Sequence, residues 1–124
     1  MDWIDIVLAI ALGLGFGWLL MRYQNLDRSK LHIIDQETFE NNMRKGQLID
    51  VRKKDAYDKD KIKGARNFKK SQIVGKYSRL RKDQSVYIYC QNGRKSKRLA
   101  KKMIRDGFSD IYILEGGFNN YTHQ

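Results

Sequence analysis

The segment VYIYCQNGRKS, residues 86–96, decides the fold of this chain. Residues 85–89 are β-branched or aromatic apart from Ser85, which predicts a strand. The polar, glycine-containing residues 90–95 predict a loop. A helix is predicted from residue 96 to residue 106 because four apolar residues fall on one helical face: Leu99, Ala100, Met103 and Ile104.

The same alternation of strands and helices extends to both sides of this unit. Strands are predicted at residues 32–34 (an edge strand), 47–51 and 111–114, and helices at 35–44, 56–61 and 71–80. Asp35 is a suitable N-cap for the first of these helices. Strands separated by helices predict an α/β sandwich, with a central, mostly parallel sheet flanked by helices.

The first segment of the chain has a different character. Trp3–Met21 is apolar except for Asp5, and 19 helical residues span about 28 Å, close to the thickness of a bilayer core. A signal peptide would have a basic leading end and small residues after its apolar core, and a buried helix would keep a polar face. We therefore expect a transmembrane anchor at 1–22, a linker at 23–30 and one domain at 31–124.

The charges that flank this segment predict its orientation. Arg22, Arg28 and Lys30 follow the span, and no lysine or arginine precedes it. The positive-inside rule then predicts a single-pass membrane protein with its N-terminus outside and its domain in the cytoplasm.

The composition narrows the choice of partners. The chain of 124 residues has 25 basic and 14 acidic side chains, giving a net charge of +11. This balance favours a small oxyanion, nucleic acid or acidic lipid, although a solvated basic surface explains it equally well. A single cysteine excludes an internal disulfide and a cysteine-rich metal cluster, and we expect no metal or other cofactor.

Cys90 is the candidate reactive residue. It follows a predicted strand and precedes a helix, the junction at which open α/β sheets bind ligands. Backbone N–H groups of the loop, together with the helix N-terminus, would stabilise a thiolate or a persulfide. Gly93 allows close approach, and Arg94 and Lys95 add positive charge at the entrance. The alternative is a buried, inert thiol at the end of a strand.

Three segments in order resemble the single-domain rhodaneses. They are LIDVR at 48–52 with Tyr57 and IKGARN at 62–67, then VYIYCQNGRKS at 86–96, then LEGGF at 114–118 with Tyr121. The resemblance implies a rhodanese-like fold and transfer of sulfane sulfur from a sulfur-oxyanion donor such as thiosulfate to a thiol or protein acceptor. It makes Cys90 the nucleophile. It also implies a substrate-binding cradle formed by six residues: Gln91, Asn92, Gly93, Arg94, Lys95 and Ser96.

Asp50 and Arg52 are predicted supporting residues. We expect this pair to organise the fold around the loop, although either charge could instead reach the pocket. Lys61 and Gln91 stand where the family often has histidine and arginine, which leaves the preferred donor open.

Three other functions compete with sulfur transfer. The first is a membrane-tethered binding module or sulfur carrier with little turnover. The second is a cysteine-dependent phosphatase or arsenate reductase, which the short loop argues against. The third is binding of RNA by a basic helix face formed by Lys97, Lys101 and Arg105, although that face is more simply a solvated one.

Overall fold

The computed structural model describes residues 2–24 and 28–123. Their centre is a sheet of five parallel strands in the order β1-β5-β4-β2-β3. The strands are β1 (Leu31–Ile34), β2 (Gln47–Asp50), β3 (Arg66–Asn67), β4 (Val86–Tyr89) and β5 (Ile111–Leu114). The α-helices are α1 (Trp3–Gln24), α2 (Gln36–Asn42), α3 (Lys54–Lys59), α4 (Lys70–Ile73) and α5 (Arg94–Arg105). The prediction of an α/β fold with a parallel central sheet is confirmed.

Both faces of β4 are buried, because successive strand side chains point to opposite sides of the sheet. Val86 and Ile88 join the core cluster that contains the apolar side of α5. Tyr87 and Tyr89 join the cluster on the other face, against Phe39 of α2. The unbroken apolar run of β4 therefore places it in the middle of the sheet, with its last residue at the centre of the carboxyl edge.

The ends of several elements differ from the sequence-based expectations. The helix predicted at 71–80 is wrong beyond Ile73, because Val74 is extended and Gly75 takes a φ of +92°. Helix α5 begins at Arg94, two residues earlier than predicted, so Arg94 and Lys95 belong to its first turn. The short strand β3 was not predicted, since two residues are too few to show a period.

Helix α1 contains the one stretch of the described chain, Trp3–Met21, that is long and apolar enough to span a membrane. None of this stretch is buried against the rest of the protein. With 22 residues the helix is about 33 Å long at 1.5 Å per residue. Residues 25–27 of the predicted linker lie outside the described residues, and Arg28–Lys30 form a 3-10 turn that leads into β1.

Candidate active site

Cys90 lies immediately after β4 and is 2% exposed. Two backbone N–H groups point at its sulfur: Gly93 N lies 3.1 Å from Sγ and Ser96 N lies 3.3 Å from it. Both donors belong to the start of α5, whose N-terminal partial charge also favours an anion. Two N–H donors and the N-terminus of α5 therefore face this sulfur.

The conformation of Gly93 produces this arrangement. Its φ of +90° is in the left-handed region, which is accessible to glycine at little cost. The turn directs its own N–H back to the sulfur and starts α5 at the next residue. The N–H of Arg94 is bound by the side chain of Asn92, with Oδ1 at 3.0 Å. Of the predicted cradle, the N–H groups of Gly93 and Ser96 are the ones hydrogen-bonded to the sulfur.

The segment after β5 fixes the other side of the loop. The N–H of Phe118 donates to the carbonyl of Cys90 at 2.8 Å, and the N–H of Asn119 donates to the carbonyl of Gln91 at 2.9 Å. The side chain of Gln91 is hydrogen-bonded to that of Asn119. These hydrogen bonds orient the carbonyl groups of Cys90 and Gln91 towards the closing segment. The N–H groups of Gly93 and Ser96 can then point at the sulfur. In the sequence this segment is marked only by its resemblance to the rhodaneses, which does not indicate its contact with the loop.

Gly117 allows the closing segment to approach the loop. A Cβ at this position would lie 2.6 Å from the carbonyl oxygen of Cys90 and 2.7 Å from that of Gln91. Its φ is +67°, a conformation that side chains disfavour. A glycine is therefore required here by both space and backbone conformation.

Replacing Gly117 by alanine should displace the closing segment. We expect a loss of about 2–4 kcal/mol in the free energy of unfolding, from backbone strain together with overpacking. Gly75→Ala is the matched control, since Gly75 also has a positive φ but an added Cβ would meet no atom within 4 Å. Urea unfolding of both variants separates overpacking from backbone strain. Equal losses of stability in the two variants would contradict the close packing of Gly117 against the loop.

Asp50 and Arg52 form a buried ion pair beneath the loop. Arg52 donates to Asp50 through Nε at 3.0 Å and through one terminal nitrogen at 2.8 Å, and their side chains are 4% and 0% exposed. Burial opposes the charge on Arg52, but hydrogen bonding and charge pairing with Asp50 outweigh it and raise the pKa of the guanidinium. The guanidinium also lies 4.0 Å from the centre of the Phe118 ring. The pair thus supports the segment that holds the loop.

A cavity of about 340 Å³ opens over the thiol. It is lined by Arg52, Lys53, Ala56, Cys90, Gln91, Asn92 and Lys95. Lys95 reaches across it and donates from Nζ to the carbonyl of Val51 at 3.0 Å. Arg94 was predicted at the entrance but does not line this cavity, because α5 begins early and Arg94 is exposed on its first turn. Lys53 and Ala56 were not predicted, since nothing in the sequence marks the start of α3 as facing Cys90.

Ser96 contacts the sulfur of Cys90 through its backbone N–H and not through its side chain. The residue is fully buried, and its N–H contacts Sγ of Cys90. Its hydroxyl oxygen has no hydrogen-bond partner among the described residues. The site therefore holds one unused buried hydroxyl beside the two N–H donors.

Comparison with known proteins identifies the family of this chain. The model of the rhodanese-like domain family matches residues 24–124, so the chain belongs to the rhodanese-like family. The uncharacterized protein YqhL of Bacillus subtilis is 40% identical over 88 residues, which cover 71% of this chain and 70% of YqhL. The thiosulfate sulfurtransferase GlpE of Coxiella burnetii is 28% identical over 74 residues, covering 60% of this chain and 69% of GlpE.

Solved structures show the same fold. A rhodanese-like domain protein from Staphylococcus aureus superposes with a TM-score of 0.64 at 21% identity, covering 75% of this chain and 93% of that protein. At this identity the likeness concerns the fold alone.

Proposed function

We propose that this protein is a sulfurtransferase that carries sulfane sulfur as a persulfide on Cys90. The observation that carries the proposal is the pair of N–H groups of Gly93 and Ser96 at 3.1 and 3.3 Å from Sγ. Such donors stabilise the thiolate of Cys90, which is the species that attacks the sulfur donor. The similarity to a thiosulfate sulfurtransferase at 28% identity supports the same chemistry.

The reaction proceeds in two balanced steps. The thiolate of Cys90 attacks the outer sulfur of thiosulfate and forms a new S–S bond, while the bond to the sulfonate breaks and sulfite leaves with the electron pair. An acceptor thiolate then attacks the outer sulfur of the persulfide. It takes that sulfur and returns Cys90 as a thiolate, so neither step requires an external oxidant or reductant.

The cations that line the cavity favour the entry of an anionic sulfur donor. Lys53 and Lys95 place positive charge beside Cys90, where a sulfur oxyanion must enter and sulfite must leave. The ion pair with Asp50 holds Arg52, and Lys95 is held by the carbonyl of Val51, so these cations are oriented before the donor arrives. The unpartnered hydroxyl of Ser96 is a further donor that a persulfide could use.

Mass spectrometry of the full chain in a neutral detergent tests the proposal. Incubation with thiosulfate should increase the mass by about 32 Da, one sulfur atom, and cyanide or dithiothreitol should remove it. Because Cys90 is the only cysteine, the added sulfur can be assigned to it. A stable adduct that no acceptor removes would favour a sulfur carrier, and similarity to the putative sulfur carrier YrkF of Bacillus subtilis, 27% identical over 75 residues, favours that second function. No adduct from thiosulfate or from a persulfide donor would refute both.

We also propose that α1 anchors the domain to a membrane, with the N-terminus outside and Cys90 in the cytoplasm. The helix is long and apolar enough to span a membrane, and the basic residues Arg28 and Lys30 follow it, a pattern that the positive-inside rule associates with the cytoplasmic side. Full-length protein should remain with membranes after a high-salt wash, and protease should digest the domain in inside-out vesicles only. Removal of α1 from the mature protein, seen by N-terminal sequencing, would show a signal sequence instead.

A further inference from the structure

A second cavity adjoins the active site and is lined almost entirely by cations. Its volume is about 280 Å³, and its lining residues are Lys70, Lys95, Arg98, Leu99 and Lys102. The last four are spaced at i, i+3, i+4 and i+7 and so share one face of α5, while Lys70 comes from α4. Lys97 and Lys101, two residues of the basic helix face that is a candidate for RNA binding, line a different cavity with Arg28.

Within the part of the chain that the structure describes, the cations of this cavity form no ion pair with a carboxylate. The side chains of Lys70 and Lys102 contact each other, and that contact, with the nearby Arg98 and Arg105, lowers the pKa of Lys102. Among the described residues, no carboxylate pairs with Lys70, Arg98 or Lys102, and the lining contains no acidic side chain. Like charges from two separate helices are thus brought together, an arrangement that a bound anion stabilises.

Lys95 joins this cavity to the active site. It lines both cavities, and its Nζ is fixed on the carbonyl of Val51 at 3.0 Å. A single small ligand can therefore place a charged end among Lys70, Arg98 and Lys102 while its other end lies over Cys90. The charged end requires more than one negative charge to balance this cluster.

We propose that the cavity lined by Lys70, Arg98 and Lys102 binds the phosphate groups of a small thiol that accepts sulfur from Cys90. This inference rests on the proposed sulfur transfer. The thiolate of the bound acceptor attacks the outer sulfur of the Cys90 persulfide, the S–S bond to Cys90 breaks, and Cys90 leaves as a thiolate. Phosphate fits because each group brings up to two charges and several acceptor oxygens to the three cations Lys70, Arg98 and Lys102.

Binding of inorganic diphosphate tests the site without sulfur chemistry. Isothermal titration calorimetry of the full, unloaded chain in neutral detergent should show saturable binding that weakens at high salt. Lys70→Gln/Lys102→Gln should weaken it at least about tenfold. Lys45→Gln/Lys63→Gln removes the same charge from exposed positions outside the cavity and should leave the affinity unchanged. Absent binding, or equal losses in the two variants, would overturn the site.

A series of thiols then tests its role as an acceptor site. Pantetheine, phosphopantetheine and coenzyme A share one reacting end and differ in phosphate charge. The persulfide should react about tenfold faster or more with the two phosphate-bearing thiols than with pantetheine, and the excess should vanish in Lys70→Gln/Lys102→Gln. Equal rates in the parent would overturn the acceptor assignment even if diphosphate binds.

Dithiothreitol separates the two proposals. This uncharged acceptor should remove sulfur at the same rate from the parent and from both double variants, because none of the substituted residues contacts Cys90. If dithiothreitol succeeds and the phosphate effect is absent, the cavity assignment is wrong and sulfur transfer stands. If diphosphate binds normally but no persulfide forms, sulfur transfer is wrong and the acceptor assignment fails with it.

Discussion

Cys90→Ser should reduce the transfer of sulfur from thiosulfate to cyanide at least about a thousandfold. A hydroxyl is not ionised at neutral pH and cannot form a persulfide, so the first bond of the reaction is never made. Serine is close to cysteine in size, and its oxygen can accept the N–H groups of Gly93 and Ser96 that now contact Sγ. We therefore expect the fold to survive the change.

Two measurements on the same preparation establish this result. Thiocyanate production gives the rate, and circular dichroism gives the melting temperature, which should change by no more than a few degrees. Cys90 is the only cysteine, so no second thiol can supply residual activity. If the serine variant kept a tenth of the parent rate, Cys90 would not be the sulfur-carrying nucleophile.

Arg52→Met should cost about 3–5 kcal/mol in the free energy of unfolding. The substitution leaves Asp50, whose side chain is fully buried, without its guanidinium partner, and an uncompensated buried charge is strongly destabilising. It also removes the cation that lies 4.0 Å from the Phe118 ring centre, which loosens the segment that holds the loop. Urea unfolding of the full chain in detergent measures the loss.

The double variant Asp50→Asn/Arg52→Met isolates the contribution of the charge. Asparagine keeps Oδ1, which accepts the backbone N–H of Arg52 at 2.8 Å, but it removes the unpaired carboxylate. We expect the double variant to recover more than half of the stability lost in Arg52→Met. A double variant that is less stable than either single variant would show that the side chains stabilise the fold independently.

Much of the fold could be predicted from local sequence patterns. The apolar run of β4 and the four apolar residues of α5 indicated both elements because burial on a strand or helix leaves a period in the sequence. Asp35 was recognised as an N-cap, and its side chain accepts the N–H of Thr38 at 3.0 Å. Gly75 was not recognised as the residue that prevents α4 from continuing, because its φ of +92° depends on where the chain must turn.

The candidate site was predictable only where it is local. Cys90, Gly93 and Ser96 lie within seven residues, so the strand–loop–helix pattern brings them together by itself. The hydrogen bonds from Phe118 and Asn119 to the loop carbonyls depend on the pairing of β4 with β5, which cannot be predicted from a local sequence pattern. Lys70 is similarly distant from Lys102 in sequence, and only the packing of α4 beside α5 brings them together.

The hydrogen bonds from Phe118 and Asn119 to the loop also set the point in synthesis at which the loop around Cys90 can be completed. A ribosome makes Cys90 and the start of α5 well before it makes the residues that hold the carbonyls of Cys90 and Gln91. A nascent chain that has reached only α5 carries a thiol whose loop lacks these two restraints. The loop around Cys90 can therefore be completed only after β5 and the residues that follow it have been made.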